Sequence, residues 1–343
     1  MVFDDVLAGP APSVLPAEAV EIAADLFGVT AGAIAMDGER DANFRLVADE
    51  GDFSLKVANP AERKTVVEMQ QLALEHIFAV APDLQVPRPI RTRDNCLVGT
   101  VEIDDRTCAV RLLTFLSGRA IPDAFSTPLL RSRFGSLLAR LDLALRDFQH
   151  PEQERDYLWD IKQMAGIRAH ADHLTEDRFE FVALWLERFS GEIEPRLAGL
   201  PHQVIHSDFN HENVLVANAD PESITGVIDF ADLIRSPRVI DPAVAAAYHC
   251  LGVDDPTVVV ADVVGAYHEV FALSDVEIDL VADLVLARLV QSITIGAWRA
   301  DLHPENREYI LIHSESAWSA VRALSKLQPG VLSGAVRAAC EPA

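Results

Sequence analysis

Strand-like and helical periodicity occupy separate parts of this chain, and that segregation limits the folds open to it. Up to about residue 117, short β-like runs dominate: Ala33–Met36, Asn43–Ala48, Phe53–Ala58, Val86–Thr92, Leu97–Val101 and Val110–Leu116. The turn Asp49-Glu50-Gly51-Asp52 joins two of them as a hairpin, and residues 37–42 form the connection before it. Two helices interrupt the strands. Ala17–Phe27 ends near Gly28, and Pro60–Val80 repeats Val66, Val67, Met69, Leu72, Leu74, Ile77 and Phe78 at steps of about three and four. From Leu129 the pattern turns helical, over Leu129–Arg146, Asp156–Leu174 and Arg178–Leu197. One β island follows, Gln203–Ile205, Val214–Ala217 and Ile224–Asp229, and helices then run on with breaks near Asp254–Pro256 and His303–Pro304. Strands grouped first and helices second predict an α+β protein, not an alternating parallel one. A length of 343 residues suits about two domains. The change of character places them at 1–117 and 118–343.

Charge narrows the partners. Lys and Arg number 29 against 53 Asp and Glu, a formal net of −24. Such a chain repels phosphate backbones and anionic lipid, so neither nucleic acid nor a membrane surface is expected as a partner. The apolar stretch Leu280–Trp298 contains Asp283, Arg288 and Gln291, which fits a buried helix better than a bilayer span. Cys96, Cys108, Cys250 and Cys340 are far apart and form no CxxC pair, so they read as reduced thiols. The first residues have no basic n-region. A soluble, cytoplasmic protein is expected.

The chemistry concentrates in one polar run. His206-Ser207-Asp208-Phe209-Asn210-His211-Glu212-Asn213 stands between the apolar runs Val204–Ile205 and Val214–Val216, as a loop between two strand ends would. Sixteen residues after Asn213, a further strand ends in Asp229-Phe230. Far upstream, Lys56 lies inside a strand, with Glu68 twelve residues later on the next helix. Phosphoryl transfer calls for such groups, because negative charge spreads over the phosphoryl oxygens in its transition state. A strand Lys held by a helix Glu can bind nucleotide phosphates. A carboxylate and an amide oxygen, Asp229 and Asn213, can hold Mg²⁺, which prefers hard oxygen ligands. A second carboxylate, Asp208, can orient or deprotonate the acceptor hydroxyl.

In this order the residues resemble the aminoglycoside phosphotransferase and choline kinase family, most closely its hydroxylysine kinase-like branch, which includes kinase segments fused to aminotransferases. Arg111–Gly118, Gly226–Asp232, Asp241–Ala245 and the late segments Ala297–Arg299 and His303–Asn306 also look like that branch, and the likeness extends over about residues 15–325. It implies a bilobal protein-kinase-like fold, with a small β-rich N-lobe and a large helical C-lobe. It implies ATP or GTP as co-substrate, Mg²⁺ as cofactor, a small hydroxylated amine or amino acid as acceptor, and an aminotransferase as a partner or fusion to consider. Carried over residue by residue, Lys56 and Glu68 match the phosphate-binding pair, Asn43 a nucleotide-binding position, and Thr114, Phe115 and Leu116 the hinge on which the purine rests. Asp208 matches the catalytic base, and Asn213 and Asp229 the metal ligands. His206 and Asp241 match residues that brace the loop. Ser207 stands where Gly is commoner, and Ala231 where the branch often has Gly.

Competing readings weigh less. A lone strand Lys usually faces water, and Asp and Asn favour turns, but the ordered set makes coincidence a poor account. His202 and His206 span a strand, so they share no helical face for zinc. Asp232, Asn210 and Arg299 are candidate substrate contacts, with Trp298 beside the last; an acidic position such as Asp232 suits a cationic amine. Walker A, GxGxxG and GxSxG patterns are absent from the sequence. So is an activation segment with Ala-Pro-Glu, which disfavours a protein substrate. The remaining alternative is a catalytically silent, nucleotide- or metabolite-binding regulatory module.

Overall fold

The computed structural model describes residues 3–38, 40–122 and 125–341. Glu39, in the expected connection 37–42, lies outside them, as do the first two and last two positions of the expected domains. The chain divides into two compact units. The first runs to Gly118 and takes in two later segments, Phe148–Arg155 and Thr225–Ala231. The second holds Arg119–Asp147, Asp156–Ile224 and the chain from Asp232 onward.

The first unit is built on an antiparallel sheet. Its strands are β1 (Gly32–Met36), β2 (Ala42–Ala48), β3 (Gly51–Val57), β4 (Pro89–Ile90), β5 (Gly99–Ile103) and β6 (Arg106–Thr114), in the order β1-β2-β3-β6-β4 with β5 also on β6. Alternation sorts the side chains by face. Phe44, Leu46, Leu55, Val57, Val110 and Leu112 are buried together with Ala19, Ile22, Ala23 and Phe27 of the helix Pro16–Ile22 and its π-helical continuation Ala23–Phe27. The opposite face carries a polar row, because Asn43 pairs with Lys56 and Lys56 with Arg111 across the strands. The helix Lys64–Val80 follows, with Val67 packed on Ala58, Val98 and Ala109.

The later segments join this unit through specific bonds. Val227 N–H donates to Gln85 O at 2.9 Å, and a side chain at Gly226 would meet Leu116 Cδ1 at 2.7 Å. Thr65 Oγ1 donates to Glu152 at 2.7 Å. Such returns of chain have no periodic signature, which is why a single linear division near 117 omits them.

The second unit is mainly helical. It contains β7 (Arg119–Ala120), β8 (His202–Ile205), β9 (Val214–Ala217), part of β10 (Asp220–Val227) and β11 (Ile234–Pro237). β9 lies between β10 and β7, and β11 pairs with β8. β7 escapes sequence detection because two residues are too short to show a period, and β11 because its Ile-Arg-Ser-Pro has no apolar run and ends in Pro. The helices Pro128–Leu145 and Pro256–Val270 cross so closely that a Cβ on Gly135 would sit 2.1 Å from Val263 O. The expected helix Asp156–Leu174 is instead a 3₁₀ segment, Ile161–His173, kinked at Gln163, with Asp160 capping Lys162 N–H at 3.1 Å. Arg178–Leu197 breaks into Glu176–Arg188, a π turn and Glu194–Leu197, where Pro195 has no N–H to donate.

By length and composition alone, Asp275–Leu302 is long and apolar enough to cross a membrane. Yet 67% of its apolar window is buried within the fold. It carries buried Glu277, Arg288, Gln291 and Arg299, so it serves as the core helix of its unit.

Candidate active site

In the first unit the candidate residues gather around Asp229. Lys56 Nζ lies 3.2 Å from Asp229 Oδ2. Asp229 has a left-handed backbone (φ 59°), and its Oδ1 accepts from Ala231 N–H at 3.1 Å, which closes the turn after the strand. Burial would raise its pKa, but Lys56, Arg40 and Arg111 outweigh that and hold the carboxyl well below the usual carboxylate range. Asp229 is therefore ionised, with its side chain 38% exposed.

A relay anchors this turn to the sheet. Arg111 donates to Gln70 Oε1 and to Asp41 Oδ2, each at 2.9 Å. Gln70 Nε2 and Arg155 Nη2 both donate to Ala231 O at 3.0 Å.

Glu68 does not pair with Lys56. It lies 3.6 Å from Lys64, one turn back on its own helix, with 38% of its side chain exposed. The helix turns Val66, Val67, Met69 and Gln70 inward, and it is Gln70, not Glu68, that reaches the sheet's polar face through Arg111. Asn43 donates through Nδ2 to Asp37 O and Asp41 O at 3.3 Å and so closes the 37–42 connection. Its Oδ1 is buried without a hydrogen-bond partner.

The hinge segment is partly committed. Thr114 N–H donates to Arg88 O at 2.9 Å and Phe115 N–H to Asp52 O at 3.0 Å. Those two amides serve the sheet and not a base. Phe115 stacks under the Arg45 guanidinium at 4.7 Å, and Leu116 packs over Gly226.

In the second unit the loop His206–Asn213 joins β8 to β9. Asp241, fully buried at the start of the helix Ile240–His249, accepts from His206 N–H at 2.8 Å and Ser207 N–H at 2.7 Å. This explains how Ser207 keeps a left-handed φ of 66° without being glycine. His206 is also fully buried; its Nδ1 accepts from Asp208 N–H at 3.4 Å and its ring meets Phe209 edge-on. Asn210 Oδ1 caps Glu212 N–H and Asn213 N–H at 2.8 and 3.0 Å, so its carbonyl oxygen serves the loop.

Both oxygens of Asp208 are held. Asn213 Nδ2 donates to Oδ2 at 2.9 Å and to the Asp208 carbonyl at 2.9 Å. That fixes the Asn213 amide with its own Oδ1 as the oxygen not involved. Arg288 Nη2 lies 2.5 Å from Asp208 Oδ1, and Tyr248 Oη donates to the same oxygen at 3.3 Å. Asp232 is buried and accepts from Tyr157 Oη at 2.5 Å. Arg299 is buried too, and desolvation brings its pKa down to about 10. It lies three turns beyond Arg288 on the same helix, roughly 16 Å along the axis, so it belongs to another part of the unit.

Arg288, Tyr248 and Tyr157 were not singled out as site residues from the sequence. Arg288 was visible as a lone cation in an apolar run, but periodicity does not say which carboxylate such a residue meets.

A model of the phosphotransferase enzyme family matches residues 33–277. The chain belongs to this family. As a member it is an enzyme, a small-molecule phosphotransferase with an alcohol group as acceptor. Its curated relatives include the hydroxylysine kinases of Mus musculus, 25% identical with 91% of this chain and 90% of the relative covered, and of Danio rerio, 27% identical with 92% of each. Among solved structures, a microcompartment-associated aminopropanol kinase superposes with a TM-score of 0.71 at 19% identity, covering 93% of this chain and 98% of that one. An amicoumacin kinase superposes at 0.65 with 11% identity, covering 92% of each. The phosphotransferase therefore has the protein-kinase-like fold, with a β-rich N-terminal part and a helical C-terminal part.

Proposed function

We propose that this phosphotransferase moves the γ-phosphoryl group of ATP or GTP to a hydroxyl of a small amine or amino acid, with a hydroxylysine-like amino alcohol as the first candidate. The arrangement at Asp208 carries the reading: a half-buried carboxylate on a braced loop, fixed from two sides by Asn213 and Arg288. A carboxylate has about four lone-pair sites. Asn213, Arg288 and Tyr248 set its direction, and so oriented it can accept the acceptor's hydroxyl proton. A loose phosphoryl-transfer transition state needs that hydroxyl aimed more than it needs it ionised.

The first unit is then the nucleotide-binding part and the second the catalytic and acceptor-binding part. Lys56 supplies the cation for the phosphates. Hard oxygen donors suit Mg²⁺; the ionised Asp229 and the oriented Asn213 Oδ1 would hold it, and the ion would neutralise charge on the phosphoryl oxygens. Asp232, buried with Tyr157, supplies an anionic partner for an ammonium group. The hydroxylysine kinases among its relatives favour a hydroxylated amino acid, and the amicoumacin kinase, solved with AMP-PNP, favours ATP. A cytoplasmic setting suits both substrates.

The test is NTP consumption by purified protein with Mg²⁺, using ATP and GTP against hydroxylysine, homoserine, aminoglycosides, choline and ethanolamine. One acceptor should give stoichiometric phosphorylated product, absent with Asp208→Ala while nucleotide binding persists. Nucleotide binding without turnover on any acceptor would instead favour a silent regulatory module.

A further inference from the structure

Arg288 is the largest fully buried side chain in the described residues, and its fork closes on the carboxylate assigned to the acceptor hydroxyl. It sits midway along the core helix Asp275–Leu302. Its guanidinium lies 4.6 Å from the Trp159 ring centroid and 5.5 Å from that of Tyr248. Nη2 donates to Asp208 Oδ1 and, at 3.0 Å, to Tyr248 Oη, while Nη1 reaches Gln291 Oε1 at 3.4 Å. Gln291 is itself tied to Leu158 O at 2.7 Å. The adjacent turn is thus held on both sides: Leu158 by Gln291 and Trp159 by the cation.

Stability does not explain this arrangement. Replacing a buried ion pair by apolar groups is often neutral or stabilising. Arg288 also leaves its Nε–H buried with no partner, which by itself is destabilising. What the pair supplies is direction. Asp208 stands on a loop, and a loop carboxylate has rotamers to choose from. A planar fork wedged between two aromatic rings leaves it one. Within the loop, Asn210 is turned back to cap the backbone, and Asn213 holds the other oxygen.

We propose that Arg288, with Tyr248, is the positioning residue for Asp208, a clamp from the core helix that fixes the carboxylate for the acceptor hydroxyl. The inference rests on the role assigned to Asp208 above. A misplacement of about 1 Å typically lowers turnover about 100-fold.

The experiment is a double-mutant cycle on the full chain, with kcat and nucleotide KM measured on the acceptor found by the panel. Arg288→Met should lower kcat about 100-fold with nucleotide KM unchanged, and Arg288→Lys should recover part of the loss. In an Asp208→Ala background, Arg288→Met should change kcat less than about threefold, since a residue acting through Asp208 has nothing left to aim. Losses that multiply, or wild-type turnover in Arg288→Met, would overturn the proposal. Tyr248→Phe keeps the charge pair and removes only the hydroxyl, so it covers the case in which Arg288→Met does not fold. A kcat loss of several-fold that vanishes in the Asp208→Ala background supports the clamp, and an unchanged kcat overturns it. If Asp208→Ala alone keeps full turnover, the role given to Asp208 fails, which is a different result from failure of the clamp.

Discussion

Asp142 and Asp241 form a buried carboxyl pair beneath the loop His206–Asn213, and their two amide variants should behave very differently. Asp241 uses both oxygens on backbone N–H groups, at 2.8 Å to His206 and 2.7 Å to Ser207. Asp142 accepts from Tyr267 Oη at 2.7 Å through Oδ2, while its Oδ1 is buried without a hydrogen-bond partner. Burial and the neighbouring Asp241 charge push Asp142 well above the usual carboxylate range. Burial pushes Asp241 up as well, but His206 and the two backbone donors oppose that. Asp142 is thus the more strongly raised of the two, and Asp241, with its two backbone donors, the less.

An amide at 142 mimics the protonated acid. It keeps an acceptor for Tyr267 and puts no charge beside Asp241, so Asp142→Asn should lower stability by less than about 1 kcal/mol. An amide at 241 must turn its NH₂ toward a backbone N–H. One charge-assisted bond becomes a donor–donor contact and the other loses its charge. At about 1.5–3 kcal/mol per hydrogen bond to a charged group, Asp241→Asn should cost roughly 3–5 kcal/mol. It should also release the left-handed turn at Ser207, lowering kcat along with stability.

Urea unfolding of the three proteins measures the first effect, and turnover the second. The pH dependence supplies a sign. A carboxyl raised in the folded state contributes stability that is complete below its unfolded value of 3.8 and is lost as pH rises through the folded value. Asp142→Asn cannot titrate, so wild type should lose stability relative to this variant as pH rises above about 4. The reasoning is refuted if Asp142→Asn is the more damaging change, or if the difference between wild type and variant stays flat with pH.

Three further outcomes follow from the fold. Gly135→Ala should destabilise by at least about 1–3 kcal/mol, because the added Cβ meets Val263 O at 2.1 Å and Tyr267 N at 3.1 Å; thermal melting against Gly334→Ala, where nothing lies within 4 Å, checks it. Glu68→Gln should leave nucleotide KM within about twofold, since it breaks only an exposed pair one turn apart on its helix. Arg111→Met should raise KM and lower the melting temperature by stranding Asp41 and Gln70. A tenfold rise in KM for Glu68→Gln would restore Glu68 as the partner of Lys56.

What the sequence made legible and what it hid divide along a physical line. The strands around Lys56 and the loop His206–Asn213 were legible because a hydrophobic period and a polar interruption are local properties, set by residues within about ten positions of one another. The strand register then put Lys56 between Asn43 and Arg111, which alternation alone allows but does not fix. Glu68 shows the limit. Its spacing from Lys56 was right for a partner, yet helix phase turned Gln70 inward, and a shift of two residues on a helix is about 200° of rotation.

Arg288 and Asp142 were hidden for a related reason. Each meets its carboxylate across 80 and 99 residues respectively, counted from Asp208 and Asp241. Such pairings depend on how helices pack, and in the sequence Arg288 looked only like a flaw in an apolar segment. A buried charge in a core helix is expensive unless it is paired, so that flaw itself required a partner carboxylate somewhere in the fold. Among the described residues the partner turned out to be Asp208, the acid that the motif had already marked for chemistry. The two signals were therefore complementary: the motif located the carboxylate, and the violation of apolar patterning located the group that holds it.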